Sequence, residues 1–411
     1  MKSCINVMAA TVLSLGLSAC GPGKKQVDME VYEKGTFGYD LGYLSAKDSL
    51  VVLTDEGENA QVVVSPRYQA KVFTSTVDGG AGASLGYLNY EALEAQEVNE
   101  HMNGYGGENR FWIGPEGGQY SVFFRPGTEQ VYDYWHTPQA IDVEPWEVVA
   151  ADRRSVRLAK EMEVRNYRGT ALRLAIDREV RLLGPGDVKR MLGVETGPGI
   201  KTVAYATRNR IRNLNDFAWT EQTGTICIWM LDMFKVAPEA VTIVPFVEGP
   251  EDRLGKIATT DYFGEIPADR IRIEDGVLYL KTDGKYRSKL GVNPKRTKAV
   301  AANYNPGLRC LTVTTFDVDP DAVYLNQEWN PAKDPLAGDA LNAYNDGPLD
   351  DGSIMGPFLE VESASPAAFL QPGSRQTHCH NVFHFVGEER ALDAVSRSVL
   401  GVALSKIKSI F

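Results

Sequence analysis

The sequence predicts an all-β protein, a single domain of antiparallel sheets closed by a C-terminal α-helix. Three observations carry this. Between residues 48 and 386, apolar side chains recur with period two in short runs separated by Gly, Pro, Asn and Asp, the mark of half-buried strands. No helical patterns alternate with those runs, which argues against a parallel sheet with crossover helices. After Glu388 the period changes. Leu392, Val395, Val399 and Val402, widened by Leu400, Leu404 and Ile407, form one helical stripe.

The chain opens with a targeting segment. Lys2 precedes an apolar run, Ile5 to Ala19, that is too short to anchor in a bilayer. It ends in Leu17-Ser18-Ala19-Cys20, which resembles a bacterial lipobox; that resemblance implies cleavage before Cys20 and a lipid on its thiol. Residues 1–19 are therefore expected to be a lipoprotein signal peptide, and 20–30 a tether opened by Gly-Pro-Gly-Lys-Lys-Gln. The domain follows at 31–411. The expected location is the bacterial cell envelope, lipid-anchored to the outer membrane and facing the periplasm, because no acidic run follows Cys20. Membrane contact is expected through the lipid only.

The strands follow in order. Gln61-Val-Val-Val, Lys71-Val-Phe-Thr-Ser-Thr-Val and Tyr120-Ser-Val-Phe-Phe are compact candidates, and Leu172, Leu174 and Ile176 alternate with Arg173 and Ala175. Asp275-Gly276 between Ile271-Arg-Ile and Val277-Leu-Tyr-Leu marks a hairpin. Asn342-Ala-Tyr-Asn-Asp-Gly347 reads as a turn, with Asp346 lining a cleft beside Tyr344 as the alternative. The connections 99–119 and 326–357 carry aromatics and charges densely enough to be binding loops.

Charge and cysteine usage narrow the function. A net charge of −11, with acids and bases interspersed, supplies no basic stripe for nucleic acid. Beyond Cys4 and Cys20 only Cys227, Cys310 and Cys379 remain. They allow at most one disulfide and fit no zinc module. No cofactor is expected.

The densest chemistry lies near the C-terminus. Glu360 and Glu362 share one face of a strand, a Pro372-Gly373 turn follows, and His378 and His380 share one face of the next strand. With His384, three of the chain's five histidines fall within seven residues. The His-x-His pair could chelate a metal with His384, Glu360 or Glu362 as third ligand. A structural pair is the commoner outcome of that pattern, and no metal is assigned.

Two stretches resemble a known superfamily. Val62-Val-Val-Ser-Pro-Arg-Tyr-Gln-Ala-Lys-Val72, followed by Leu85-Gly-Tyr-Leu-Asn89, resembles the opening of galactose mutarotase-like proteins. Phe358-Leu-Glu-Val-Glu-Ser-Ala-Ser-Pro366, followed by Pro372-Gly373, resembles their closing segment. The chain is also similar to a family of uncharacterised envelope lipoproteins, through Asn109-Arg-Phe-Trp-Ile-Gly-Pro-Glu-Gly-Gly118, Lys285-Tyr-Arg-Ser-Lys-Leu-Gly291 and Tyr344-Asn-Asp-Gly347. The resemblance implies a galactose mutarotase-like β-supersandwich. It also implies sugar chemistry of the aldose 1-epimerase type, in which a glutamate base and a histidine acid act across one sugar ring. Glu360 matches the base strand, with Glu362 as the other register, and His378 or His380 is the acid candidate. The middle loops offer Arg110, Trp112 and Glu116 where the family carries histidines; His136 is out of register.

Trp112 beside Arg110 and Glu116 fits a sugar platform, an aromatic face with charged groups for the hydroxyls. Lys285, Arg287, Lys289, Lys295, Arg296 and Lys298 place six cations in fourteen residues and could steer an anionic ligand. The expected ligand is therefore a carbohydrate, with an anionic one as a specific case. The expected function is an envelope lipoprotein that binds or processes carbohydrate. The alternatives are a non-catalytic glycan-binding lipoprotein and a glycoside-cleaving enzyme that pairs a strand glutamate with Glu116 or Asp346.

Overall fold

A computed structural model describes residues 31–95, 97–349 and 352–411; the signal peptide, Cys20 and the tether expected at 1–30 lie outside the described residues. In chain order the strands begin with β1 (Val51–Thr54), β2 (Gln61–Ser65), β3 (Lys71–Thr76), β4 (Arg110–Gly114), β5 (Glu147–Ala151) and β6 (Ser155–Arg165). Next come β7 (Ala171–Leu182), β8 (Ile200–Asn213), β9 (Cys227–Lys235), β10 (Val241–Pro245), β11 (Ile271–Glu274) and β12 (Val277–Lys281). The last are β13 (Ser288–Val292), β14 (Val300–Asn305), β15 (Cys310–Phe316), β16 (Leu341–Asn345), β17 (Phe358–Ala364) and β18 (Arg375–Gly387).

These strands form a ten-stranded sheet, β11-β12-β10-β14-β15-β18-β8-β7-β6-β5, and a five-stranded sheet, β13-β16-β17-β9-β4. A three-stranded ribbon, β1-β2-β3, completes them. Every named pairing is antiparallel. The two larger sheets pack face to face. Phe111, Ile113, Ile228, Met230, Leu359 and Val361 of the smaller meet Leu158, Leu174, Val203, Ile211 and Val382 of the larger in one core. The all-β expectation therefore holds, and the Asp275-Gly276 hairpin joins β11 to β12 as read.

Several local expectations are corrected. Tyr120–Phe124 is a buried irregular segment, because its backbone bonds loops rather than a ladder: Val122 N–H donates to Pro115 O at 3.3 Å, and Tyr167 N–H to Ser121 O at 2.7 Å. The tail is two helices, Glu389–Leu400 and Leu404–Lys408, broken where Gly401 takes φ 72°. Their buried Leu392, Val395, Leu404 and Ile407 cover Ile243, Tyr279, Phe383 and Phe385 on the outer face of the large sheet. Residues 342–345 are strand β16, not a turn. The helices Phe37–Ser45, capped by the Thr36 side chain, and Pro185–Leu192 had no counterpart in the period-two reading. Cys227, Cys310 and Cys379 are free thiols.

The C-terminal run holds the largest surprise. β17 and β18 do not pair with each other; they belong to opposite sheets. Between them the chain crosses the sandwich edge, where Ala368 N–H bonds Ile226 O at 2.8 Å and Trp219 N–H bonds Leu370 O at 3.0 Å.

Candidate functional site

Alternation along the strands divides the five-stranded sheet into two faces. On β4 the residues Arg110 and Trp112 point outward. Register then places them beside Leu231 and Trp229 of β9. Glu362 lies opposite Leu231 and Asn342, and Glu360 opposite Met233 and Tyr344. Lys289 of β13 lies opposite Tyr344. One outer face thus gathers two glutamates, an arginine, a lysine, a tyrosine and two tryptophans.

Loops wall this face into a cleft of about 570 Å³, its open mouth included. Met102, Glu116, Trp135, Phe263, Trp329 and Met355 rise around Arg110, Trp112, Trp229, Lys289 and Glu360. Gly117 brings the Glu116 loop against the Glu328–Trp329 backbone; a Cβ there would collide with the Glu328 carbonyl. The walls are largely aromatic: Trp135 stacks on Trp329 at 5.8 Å and 25°, and on Phe123 at 6.1 Å and 8°.

Two ion pairs stand on the cleft floor, Arg110 with Glu360 and Lys289 with Glu362. Arg110 forms a buried ion pair with Glu360, and its guanidinium lies 4.6 Å from the Trp112 ring centroid. Burial pushes the Glu360 carboxyl up to about 7; Arg110 opposes that shift and Glu362 adds to it. Glu362 accepts from Lys289 Nζ and from Trp229 Nε1, each at 2.9 Å on the same oxygen. Burial works against the Lys289 charge, yet Glu362 and Glu116 outweigh it and hold the ammonium above its ordinary range. Half-buried Glu116 is raised, first by burial and then by Glu362.

Tyr344 and Asp346 act as supports. Tyr344 O–H donates to Asp346 Oδ1 at 2.7 Å, and Gly356 N–H donates to Oδ2 at 2.9 Å. Both Asp346 oxygens are thereby occupied in a buried position behind the cleft. This withdraws Asp346 as an acid partner across the cleft.

The structure separates the expected glutamate–histidine pair. Even-numbered residues of β18 face the sandwich interior, so His378 and His380 lie beneath the five-stranded sheet while Glu360 and Glu362 lie above it. Ser363, on the under side of β17, is shared at 2.8 Å by His378 Nε2 and His380 Nδ1. His380 Nε2 meets Asp232 Oδ2 at 2.8 Å, and Asn109 Nδ2 donates to Asp232 Oδ1 at 2.7 Å. Arg178 joins through Asn109 and Asn209, both at 2.6 Å. His384 sits farther along the same face on Glu108 at 2.7 Å and Thr312 at 2.8 Å. All three histidines are at most 1% exposed. They knit the two sheets together and cannot reach a sugar in the cleft. Among the described residues no cluster of three or more His, Cys, Asp or Glu side chains is placed to hold a metal ion, so the His378/His380 metal alternative has no third ligand.

The cation run also divides. Arg287 and Lys289 enter the cleft; Lys285, Lys295 and Lys298 are exposed; Arg296 is buried against the carbonyls of Val247, Gly249 and Gly255. Arg110 and Trp112 sit on an edge strand rather than a Gly-rich loop. Trp229, Trp135 and Trp329 were missed by the sequence reading. Trp229 had a usable signal, since it alternates with Leu231 and Met233 along one strand face. Trp135 and Trp329 meet only because two distant loops fold together, which leaves no local trace.

No curated protein matches the chain. Among solved structures it is similar to the Slr1438 protein of Synechocystis sp. PCC 6803, at 14% identity and a TM-score of 0.49, covering 83% of this chain and 96% of that one. A galactose mutarotase-like protein of Clostridium acetobutylicum is similar at 11% identity and TM-score 0.46, over 80% and 93% of the two chains. One from Lactobacillus casei ATCC 334 is similar at 13% and 0.44, over 82% and 100%. The model of the family of unknown function DUF6786 matches residues 35–411, nearly the whole described chain, and the protein belongs to that family.

Proposed function

We propose that the protein binds a carbohydrate in the cleft above the five-stranded sheet. One observation carries this reading: tryptophans from β4, β9 and two loops enclose a small volume whose floor presents two hydrogen-bonding charge pairs, Arg110–Glu360 and Lys289–Glu362. Aromatic faces cover the apolar sides of a pyranose, while Arg110, Glu360 and Lys289 bond its hydroxyls. Paired charges are oriented without requiring a counter-charge from the ligand. The likeness of 62–72, 85–89 and 358–373 to galactose mutarotase-like proteins supports the same reading. Calorimetry with a panel of neutral and acidic sugars tests it, and a panel without any binding member defeats it.

A second reading adds chemistry, favoured by the Glu360 carboxyl near 7, where one group both takes and returns a proton. Ring opening then proceeds with Glu360 removing the anomeric hydroxyl proton. The bond from C1 to the ring oxygen breaks, and that oxygen takes a proton from Glu116, the other cleft carboxyl raised by burial. Reclosure on the opposite face inverts the anomer. Glu360→Gln is expected to lower anomer exchange, measured by NMR, at least a hundredfold while sugar affinity changes less than fivefold. Wild-type-like exchange in that variant removes Glu360 from the role.

The lipobox-like segment supports placing the protein in the bacterial envelope, anchored through Cys20 on the periplasmic side of the outer membrane. Metabolic labelling with a clickable palmitate should mark the wild type and not Cys20→Ala. Equal labelling of both would refute that anchor.

A further inference from the structure

The three cations of the cleft are not equivalent. Arg110 is held by Glu360 and Lys289 by Glu362, but Arg287 forms no ion pair among the described residues. Its guanidinium carbon lies over Phe263, 3.8 Å from the ring centroid, and its Nε donates to Tyr344 Oη at 3.3 Å. Tyr344 is itself fixed, donating to Asp346 and packed edge-on to Phe263 at 6.0 Å and 80°. One guanidinium nitrogen is thereby committed, and Arg287 lines the cleft. Two carboxyl groups feel this charge, Glu116 and Asp346. Burial raises both above the ordinary carboxylate range, and neither pairs with Arg287 directly.

Placement sharpens the point. Arg287 directly precedes β13, two strands from the Glu360 of β17. Adjacent strands are separated by about 4.8 Å, so the two backbones stand roughly 10 Å apart across the cleft floor. A sugar ring seated with its anomeric carbon at Glu360 extends its far substituent toward the free fork of Arg287. A planar guanidinium held over an aromatic ring presents two parallel N–H groups, the geometry that takes an oxyanion bidentately.

We infer that Arg287 is an anion receptor within the cleft, and that the cleft's carbohydrate carries a single negative charge away from its anomeric carbon, as a uronate carboxylate or a sulfate ester. This rests on the carbohydrate reading above and adds the charge class of the ligand. One cation without an ion pair matches a monoanion better than a dianionic phosphate ester, whose second charge finds no further unpaired cation among the described residues that line the cleft.

Calorimetry at low and moderate salt tests the inference on the full chain, comparing galactose and glucose with galacturonate, glucuronate, galactose 6-sulfate and glucose 6-phosphate. A monoanionic sugar is expected to bind at least tenfold tighter than its neutral parent, and the carboxylate and sulfate arms identify which anion it is. In Arg287→Met, which keeps a stem over Phe263, that preference should fall to about one. In Arg287→Lys, which keeps charge without the fork, it should be intermediate. Equal affinity for neutral and anionic members, or a preference that survives Arg287→Met, overturns the inference and leaves sugar binding standing. Failure of every sugar to bind overturns the carbohydrate reading, and this inference with it.

Discussion

Glu360 and Glu362 are two residues apart on one strand face, yet their surroundings differ. Glu362 shares one oxygen between an ammonium and an indole N–H, whereas Glu360 faces a single guanidinium in a buried wall of aromatics. The consequence for Glu360 is a folded-state pKa raised from 4.5 to about 7. Over that interval the folded protein keeps a proton that the unfolded chain has released. The contribution of this group to stability therefore declines as pH rises from 4.5, and the decline is complete above about 7. Glu360→Gln should flatten this part of the stability–pH curve, read as the urea midpoint between pH 4.5 and 7.5. Activity that needs the carboxylate runs the other way, rising through pH 7 and levelling above it. An unaltered curve in the glutamine variant would show that the carboxyl ionises normally.

At the scale of elements, β9 and β17 each serve two environments. Their outward residues line the cleft, and their inward residues, Asp232 and Ser363, tie the sheets together through His380, His378, Thr314 and Asn109. The fully buried Asp232 carboxylate, with Asn109, Thr314 and His380 bonded to it, is costly to remove, because the three groups left behind lose their counterpart inside the core. Asp232→Ala is expected to lose about 3–5 kcal/mol of unfolding free energy by urea titration. A loss below about 1 kcal/mol would mean that the network is not holding the sandwich. His378 responds to acid: burial lowers it to about 3 from 6.5, so its contribution is full above 6.5 and is lost as pH falls toward 3.

For the whole molecule, the strands of the large sheet were legible because one face is packed and the other wet, as along Ala171–Leu182. The same rule located both faces of β17 and β18, and with them the shared orientation of Glu360 with Glu362 and of His378 with His380. It could not assign the two strands to different sheets, because alternation records a side-chain direction and not which neighbour a strand takes. The error of pairing the glutamates with the histidines followed from that gap. Tyr120–Phe124 failed for a related reason: four apolar residues around one serine are equally at home beneath stacked loop aromatics as in a ladder. Loop contacts such as Trp135 on Trp329 join residues nearly two hundred positions apart, which no local window reads.

The enclosing tryptophans have an experimental use. The chain has six tryptophans, and Trp112, Trp135, Trp229 and Trp329 all line the cleft, leaving only Trp146 and Trp219 elsewhere. Intrinsic fluorescence is therefore weighted toward the site, and an occupant that changes the surroundings of those indoles should shift the emission. Binding can then be followed optically on the unlabelled protein, with Trp329→Phe removing part of the signal. A sugar that binds by calorimetry without changing the emission would have settled away from this cleft.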